Sequence, residues 1–256
     1  MQDRFTGDVG DFGKYGLLRI LCGSNDTPSI RLGVVWYRVP NETHNDDGKH
    51  IGYLQKVSPT FRDCDPELYD TLRKLLINNS GSVMSRQRRV ATIESSTVLP
   101  SDTLFYNRPL AYKKQMSAVD RLSMRKEWFR GAQEATALAQ LIFFDPDNGV
   151  ECKSVTQTRR KGPKYVFWDD LKFFSARNQS LVVHHHLNRS CPSSDQVRRL
   201  LSAFQNHMPR YQISSVMFTR GTRRAYFLAA TPTHSKVLSR RFSSLLRDRW
   251  GSHFIC

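Results

Sequence analysis

The chain has 256 residues, of which 39% are hydrophobic and 11% aromatic, enough apolar side chain for the core of one large α/β domain. It carries 39 Lys and Arg against 23 Asp and Glu, and this net charge of +16 is typical of a protein that binds a polyanion such as DNA or RNA. It contains no run of about 18 apolar residues, so we expect no membrane-spanning helix and no membrane partner.

The location is predicted from the cysteines and the first residues. The polar start MQDRFTGDVGDFGKYG has no apolar segment of a secretory signal. The 5 cysteines are scattered and form no CxxC pair, which favours reduced thiols over a disulfide framework or a zinc site. We therefore expect a cytoplasmic protein.

The N-terminal stretch GDVGDFGKYG (7–16) places Asp8, Asp11 and Lys14 among glycines at the start of a predicted helix. A glycine-rich backbone with a lysine at a helix start suits an anion, although the P-loop pattern GxxxxGK[ST] is absent. We expect Asp8 and Asp11 to help hold a cofactor and Lys14 to steady phosphate charge. A turn in which Asp11 caps the helix is the structural alternative.

Apolar strand-like runs and segments with helical periodicity alternate along the rest of the chain. Strands are predicted at 31–39, 89–94, 103–107, 137–145, 164–170, 180–187, 212–221 and 223–230, and helices at 13–22, 66–79, 117–139, 193–208 and 233–250. This order predicts an α/β fold with a Rossmann-like, doubly wound, mostly parallel sheet that a C-terminal antiparallel hairpin completes. We predict a single domain (1–256), with an N-terminal helical motif (1–30) and a helical insertion after the first strand (40–88).

Polar residues follow four of the predicted strands, where open α/β sheets bind their ligands. They are His44, Asp46, Asp47 and His50 after the first strand, Asp145, Asp147 and Glu151 after 137–145, Asp169 and Asp170 after 164–170, and His184, His185, His186 and Arg189 after 180–187. We expect side chains from these ends to meet in one crevice, with Asp46 and Asp47 contributing to a cofactor site. Alternation along the strand places His184 and His186 on one face and His185 on the other. A solvated loop at 43–50 and hydrogen-bonded histidines under a helix are the structural alternatives.

The stretch LIFFDPDNGVECK (141–153) indicates one chemistry for this crevice. Pro146-Asp147 followed by Glu151-Cys152-Lys153 resembles the PD-(D/E)XK nucleases, although a hairpin separates the two halves of that motif. We expect Asp145, Asp147 and Glu151 to bind Mg²⁺ or Mn²⁺. His186 or His50 would be the base, and Lys14 or Lys153 would steady the phosphate. An Asx turn over Asp-Asn-Gly is the structural alternative.

A second chemistry follows from the order of the elements. GDVGDFGKYG before the first strand, DPDNG (145–149) after a later strand and a terminal hairpin resemble the Rossmann-like class I methyltransferases, most closely the large-subunit ribosomal RNA adenine-N6 methyltransferase J family. That family has a Gly-Asn-x-x-Asp-x-x-Lys-like stretch and an Asp-Pro-Pro-Tyr motif. The resemblance implies S-adenosylmethionine as cofactor and Asp145 as the residue that holds the target amine.

The chain departs from that family in two places. PNETHNDDGKH (40–50) stands where a glycine-rich loop would follow the first strand, and Asp147 and Asn148 replace the second proline and the aromatic that stacks on a flipped base. In both places charged or polar side chains replace residues that serve the family by their shape, so this chain can keep the fold while its chemistry differs.

Arginines with interleaved aromatic residues predict the nucleic-acid contacts. They are Arg220, Arg223 and Arg224 around the last hairpin, Arg189 after the strand 180–187, and Arg240 and Arg241 on the last helix. A solvated charged face is the alternative for each of them. We therefore predict first a metal-dependent nuclease or phosphodiesterase, second an S-adenosylmethionine-dependent adenine-N6-type methyltransferase, and third an inactive relative that only binds DNA or RNA; a homodimer is left open.

Overall fold

A central sheet organises the computed structural model, which describes residues 1–23, 25–42 and 48–256. The strands are β1 (Leu32–Trp36), β2 (Leu104–Tyr106), β3 (Leu141–Asp145), β4 (Gly149–Val150), β5 (Tyr165–Val166), β6 (Ser180–His186), β7 (Gln212–Phe218), β8 (Arg224–Ala230) and β9 (Phe254–Ile255). Among the described residues, seven strands form the sheet in the order β2-β1-β3-β6-β8-β7-β9, and β4 and β5 form a separate small sheet.

The direction of the strands confirms the predicted architecture. β2, β1, β3 and β6 run parallel, whereas β8 lies antiparallel between β6 and β7. The register pairs Trp36 with Asp145 and Phe144 with Val183. The fold is therefore α/β, with a mostly parallel sheet and a C-terminal antiparallel hairpin.

Helices cover both faces of this sheet. They are α1 (Val9–Cys22), α2 (Gly52–Gln55), α3 (Pro59–Arg62), α4 (Pro66–Leu76), α5 (Val90–Glu94), α6 (Ala118–Ala135), α7 (Trp168–Ser175), α8 (Ser193–His207) and α9 (Pro232–Ser244). Phe143 packs in the core on the face of α1, α4 and α9, and Phe144 packs in the core on the face of α6, α7 and α8. Because both faces are buried, β1 and β3 read as continuous apolar runs in the sequence. No helix in the described part of the chain is long and apolar enough to cross a membrane.

Two predicted strands are wrong. Residues 90–94 form the short helix α5, in which Val90 and Ile93 are buried one turn apart. In the segment 164–170 only β5 is extended, and it pairs with β4 rather than with the central sheet. Asp169 and Asp170 lie in the first turn of α7, so they do not follow a strand of the central sheet. Over so few residues, alternation and helical periodicity look alike.

The glycines of GDVGDFGKYG allow close packing of α1. Helix α1 begins after Asp8, whose side chain accepts a hydrogen bond from the backbone N–H of Asp11 (2.9 Å), so the cap is Asp8 and not Asp11, the residue named in the structural alternative. A Cβ at Gly10 would overlap the Arg224 guanidinium, and a Cβ at Gly13 would overlap the Phe218 ring. The glycines therefore let α1 lie directly against the start of β8 and the end of β7.

Candidate active site

A cavity of about 480 Å³ lies beyond the carboxyl ends of β1, β3 and β6. The chain leaves β1 toward β2 on one side and returns to β3 on the other, so the β1–β3 boundary is the switch point at which open α/β sheets bind their ligands. The sequence-predicted residues in its lining are Asp8, Asp11, Lys14, His50, Asp145, Asp147, His186 and Arg224. The fold thus gathers most of the predicted site.

Lys14 is the centre of one buried ionic group in this cavity. Its Nζ donates to Oδ1 of Asp11 (2.7 Å) and to Oδ2 of Asp145 (2.8 Å), and all three side chains are almost fully buried. The second oxygen of Asp11 accepts from the Gly7 N–H and the Tyr15 hydroxyl, both at 3.0 Å. Burial opposes the lysine charge, but the two carboxylates outweigh it and raise the pKa of Lys14 above its ordinary value. Lys14 is therefore a fixed cation that orients Asp145.

Asp147 is the centre of a second ionic group. Its Oδ2 accepts from Nε2 of Gln2 (3.0 Å) and lies 3.0 Å from Nζ of Lys164, which also pairs with Glu42. Burial would raise the pKa of Asp147, but the amino group of Met1, 3.8 Å from Oδ1, and Lys164 lower it below the ordinary value. Oδ1 of Asp147 is buried and has no hydrogen-bond partner among the described residues.

The histidines of β6 divide between the two faces of the strand as predicted. His184 and His186 line the cavity, with ring centroids 4.8 Å apart, while Nδ1 of His185 accepts from the Val150 N–H (3.1 Å). Burial, followed by the charge of Arg224, lowers the pKa of His186 to about 3. These imidazoles are therefore neutral at physiological pH.

His184 presents an unused nitrogen to this site. Its Nδ1 lies 3.2 Å from the Pro146 carbonyl oxygen and 3.6 Å from Oδ1 of Asp145. A carbonyl oxygen only accepts hydrogen bonds, so we assign the ring proton to Nδ1. Nε2 then carries a lone pair, and it is buried with no hydrogen-bond partner in the described chain.

Arg224 belongs to the cavity wall. Its side chain is buried, and NH2 donates to Oδ2 of Asp8 (3.0 Å), so it ties the start of β8 to the start of α1. Its predicted role as a surface contact for nucleic acid is wrong, because its charge is already paired inside the protein.

Glu151 and Lys153 lie apart from this site. After β4 the chain leaves the cavity, and Oε1 of Glu151 accepts from the Trp168 N–H (3.4 Å) at the start of α7. Lys153 is exposed and does not line the cavity. The predicted set of Asp145, Asp147 and Glu151 is therefore not gathered around one point. Within residues 1–23, 25–42 and 48–256, no cluster of three or more His, Cys, Asp or Glu side chains is arranged to hold a metal ion.

The remaining predicted residues fall in three places. His50 lines the cavity but is exposed, whereas Asp46 and Asp47 lie outside the described residues, as does His44. Arg189, Arg223 and Arg240 are exposed, as a surface contact requires.

Arg220 and Arg241 have structural partners. Nε of Arg220 donates to Nδ1 of His253 (2.8 Å). Arg241 donates to the Leu21 carbonyl oxygen (2.9 Å) and to the Ser29 hydroxyl (2.8 Å), which places this part of α9 near the start of β1, at the edge of the sheet opposite the cavity.

Sequence reasoning missed three residues of this site, namely Gln2, Glu42 and Lys164. Lys164 is part of the basic segment QTRRKGPK (157–164), which as a sequence is typical of a solvated surface. A single turn of 3-10 helix at Gly162–Lys164 brings it to Asp147. No local signal distinguishes Lys164 from the exposed Lys161 beside it.

Comparison of the chain with protein-family models, with curated proteins and with solved structures gave no match. The functional argument therefore starts from the geometry of the cavity.

Proposed function

We propose that this chain is an enzyme that acts on nucleic acid and that its reaction takes place in the cavity at the β1–β3 switch point. One observation carries the proposal: Asp145, at the carboxyl end of β3, is held by the fixed cation Lys14 and lies beside His184, whose buried Nε2 is free to accept a proton. A fixed carboxylate beside an acceptor nitrogen suits a substrate group that donates hydrogen bonds and then loses a proton.

The donor set does not favour a magnesium site. Mg²⁺ requires near-octahedral oxygen coordination and usually takes one or two protein carboxylates with water and phosphate. Asp145 already has Lys14 at 2.8 Å and Asp147 has Lys164 at 3.0 Å, so an ammonium group already occupies one side of each carboxylate. A metal ion would have to displace these ammonium groups, and Glu151 lies elsewhere. Metal-dependent cleavage, our first expectation from the sequence, is therefore the weaker proposal.

An exocyclic amine of a nucleic-acid base fits the same groups better. Its N–H would donate to Asp145, which Lys14 holds in one orientation, so the nitrogen lone pair would face away from the carboxylate. When the nitrogen takes a methyl group, the bond between that methyl group and its donor breaks and the amine must lose one proton. His184, whose Nδ1 lies 3.6 Å from Oδ1 of Asp145, offers the unpaired Nε2 as the acceptor. In this proposal Asp145, held by Lys14, orients the amine, and His184 accepts its proton.

S-adenosylmethionine fits the cavity in volume and charge, and when bound it would supply an electrophilic methyl group. The volume of about 480 Å³ lies within the range of small-molecule sites. The lining holds both carboxylates and cations, which suits a ligand that carries charges of both signs. Oδ1 of Asp147, which accepts no hydrogen bond within the described residues, is a candidate acceptor for its amino group. The segment after β1 contributes Glu42 and His50 to the lining, so side chains would approach the cofactor there in place of a glycine-rich loop.

The test measures transfer of labelled methyl groups from S-adenosylmethionine to DNA and to RNA, with calorimetry of cofactor binding in parallel. Asp145→Asn is compared with Asp169→Asn, since Asp169 is an exposed carboxylate paired with Lys172 (3.0 Å). We expect transfer by the native protein and by Asp169→Asn, and a loss of about 100-fold or more in Asp145→Asn. Absence of both cofactor binding and transfer would contradict the proposal. Metal-dependent cutting that Asp145→Asn abolishes would establish the hydrolase instead.

A further inference from the structure

A groove lined by arginines lies beside the cavity, at the same edge of the sheet. Its volume is about 510 Å³, and its lining comprises Asp3, Arg38, Asn41, Ser85, Arg86, Arg88, Arg89 and Ala91. The groove thus contains four guanidinium groups and one carboxylate. The reaction proposed for the cavity uses none of these residues.

Two of the arginines connect this groove to the cavity. Arg88 donates to the Thr6 carbonyl oxygen (2.9 Å) and to that of Gly48 (2.6 Å), and Gly48 lines the cavity. Arg38, two residues beyond β1, pairs with Asp3 (3.0 Å). The turn at residues 3–6 and Gly48 therefore lie between the groove and the active site.

The charges of the other two arginines are available to a ligand. Arg86 and Arg89 are exposed, and their side chains make no hydrogen bond, ion pair or ring contact with other residues in the described ranges. Arg88 and the Arg38–Asp3 pair fix the backbone around them. Guanidinium groups match phosphate oxygens with paired, charge-assisted hydrogen bonds. Two unpaired guanidinium groups on a fixed support suit successive phosphates of a polymer.

We infer that the groove formed by Arg38, Arg86, Arg88 and Arg89 binds the sugar-phosphate backbone of the nucleic-acid strand whose target base enters the cavity. This inference rests on the proposed function. Contacts to phosphate set register and orientation without reading sequence, so the groove positions the strand and leaves selection of the base to the cavity.

The test compares Arg86→Gln/Arg89→Gln with Arg210→Gln/Lys236→Gln. Both control residues are exposed, Arg210 just before β7 and Lys236 in the first half of α9 after β8. They lie toward the start of β6, at the edge of the sheet opposite the cavity, and the control pair removes the same formal charge. Binding of fluorescent single-stranded DNA and RNA of one sequence is measured by anisotropy over a range of salt concentrations. Log affinity falls as log salt rises, and for single strands each phosphate contact contributes about −0.7 to this slope. The loss of two contacts in the groove variant should therefore make the slope less steep by about 1.4. If the affinities converge at about 1 M salt, this corresponds to about 25-fold weaker binding at 0.1 M.

The outcomes separate the groove from the proposed function. An unchanged slope in the groove variant, or an equal change in the Arg210/Lys236 control, would overturn the groove assignment and leave the active site as proposed. Failure of the native protein to bind either strand would overturn both. We expect the groove variant to bind S-adenosylmethionine as the native protein does, so a loss restricted to nucleic-acid binding supports the groove, and loss of cofactor binding as well would contradict it. The DNA and RNA arms also report which polymer the groove prefers.

Discussion

Replacement of Lys14 by Met measures how strongly the buried ionic group holds the site. Lys14→Met keeps the length of the side chain and removes the one cation that pairs with both Asp11 and Asp145. Each hydrogen bond to a charged group contributes about 1.5–3 kcal/mol, and removal of one partner from a buried ion pair costs about 3–5 kcal/mol. We therefore expect the free energy of unfolding at pH 7 to fall by about 4 kcal/mol.

The same variant should show a changed dependence on pH. Burial already raises the pKa of Asp11, and without the charge of Lys14 this pKa should rise further. A carboxyl group whose folded pKa lies above its unfolded value binds more protons when folded, so it adds stability as the pH falls. Lys14→Met should therefore lose less stability at pH 5 than at pH 7, relative to the native protein.

Urea unfolding at the two pH values checks both expectations. Lys172→Met is the matched control, because Lys172 pairs with Asp169 at 3.0 Å on the surface, where both side chains are mostly exposed. Such pairs contribute under about 1 kcal/mol. A loss in Lys14→Met that is no larger than in this control, or that is the same at both pH values, would refute the account of a buried cation between two carboxylates.

Three further outcomes are expected. Gly149→Ala should destabilise the protein by more than about 1 kcal/mol in thermal unfolding, because Gly149 has φ +120° and a Cβ there would overlap the His185 ring. Gly52→Ala should be near neutral, because a Cβ there makes only an ordinary contact with Oε1 of Gln55 at 3.8 Å. Burial lowers the pKa of His185 to about 4, so this histidine destabilises the fold as the pH falls from 6.5 to 4, and stability measured over that range should fall less steeply in His185→Gln. Arg125→Met should cost about 3–5 kcal/mol in urea unfolding, because it leaves the Asp170 carboxylate buried without its cation; a loss below about 1 kcal/mol would contradict that.

The long elements of the fold were readable from the sequence because burial dictates their composition. β1 and β3 are covered on both faces, so β1 is apolar throughout and β3 is apolar up to its last residue, Asp145. The amphipathic periods of α4, α8 and α9 follow from one buried face each. The predictions for α5 and β5 were wrong because these elements are too short to show a helical or a strand period. Whether such a short segment is helix or strand depends on the residues it packs against.

The strand ends were readable for a similar reason. Parallel strands bring their carboxyl ends to one edge of the sheet, so Asp145, Asp147 and His186 were expected to share a crevice, and they line one cavity. Glu151 was expected there as well, but the chain turns away from the cavity at β4, so the carboxylate faces the start of α7. Asp147 and Glu151 are thus only four residues apart in the sequence, but Asp147 lies in the cavity and Glu151 lies at the start of α7.

By itself the sequence determined that this protein has an α/β fold and that acids and histidines meet at one edge of its sheet, because burial and strand direction act through local patterns. Only the tertiary structure decided which charges meet. Lys14 reaches Asp145 across 131 positions of the chain, and Lys164 reaches Glu42 across 122. An ion pair between residues so far apart leaves no local pattern in a sequence, since its strength depends on the distance between two atoms and on their burial. For that reason two of the three acidic residues that predicted a metal site from the sequence, Asp145 and Asp147, lie in the structure as partners of lysine.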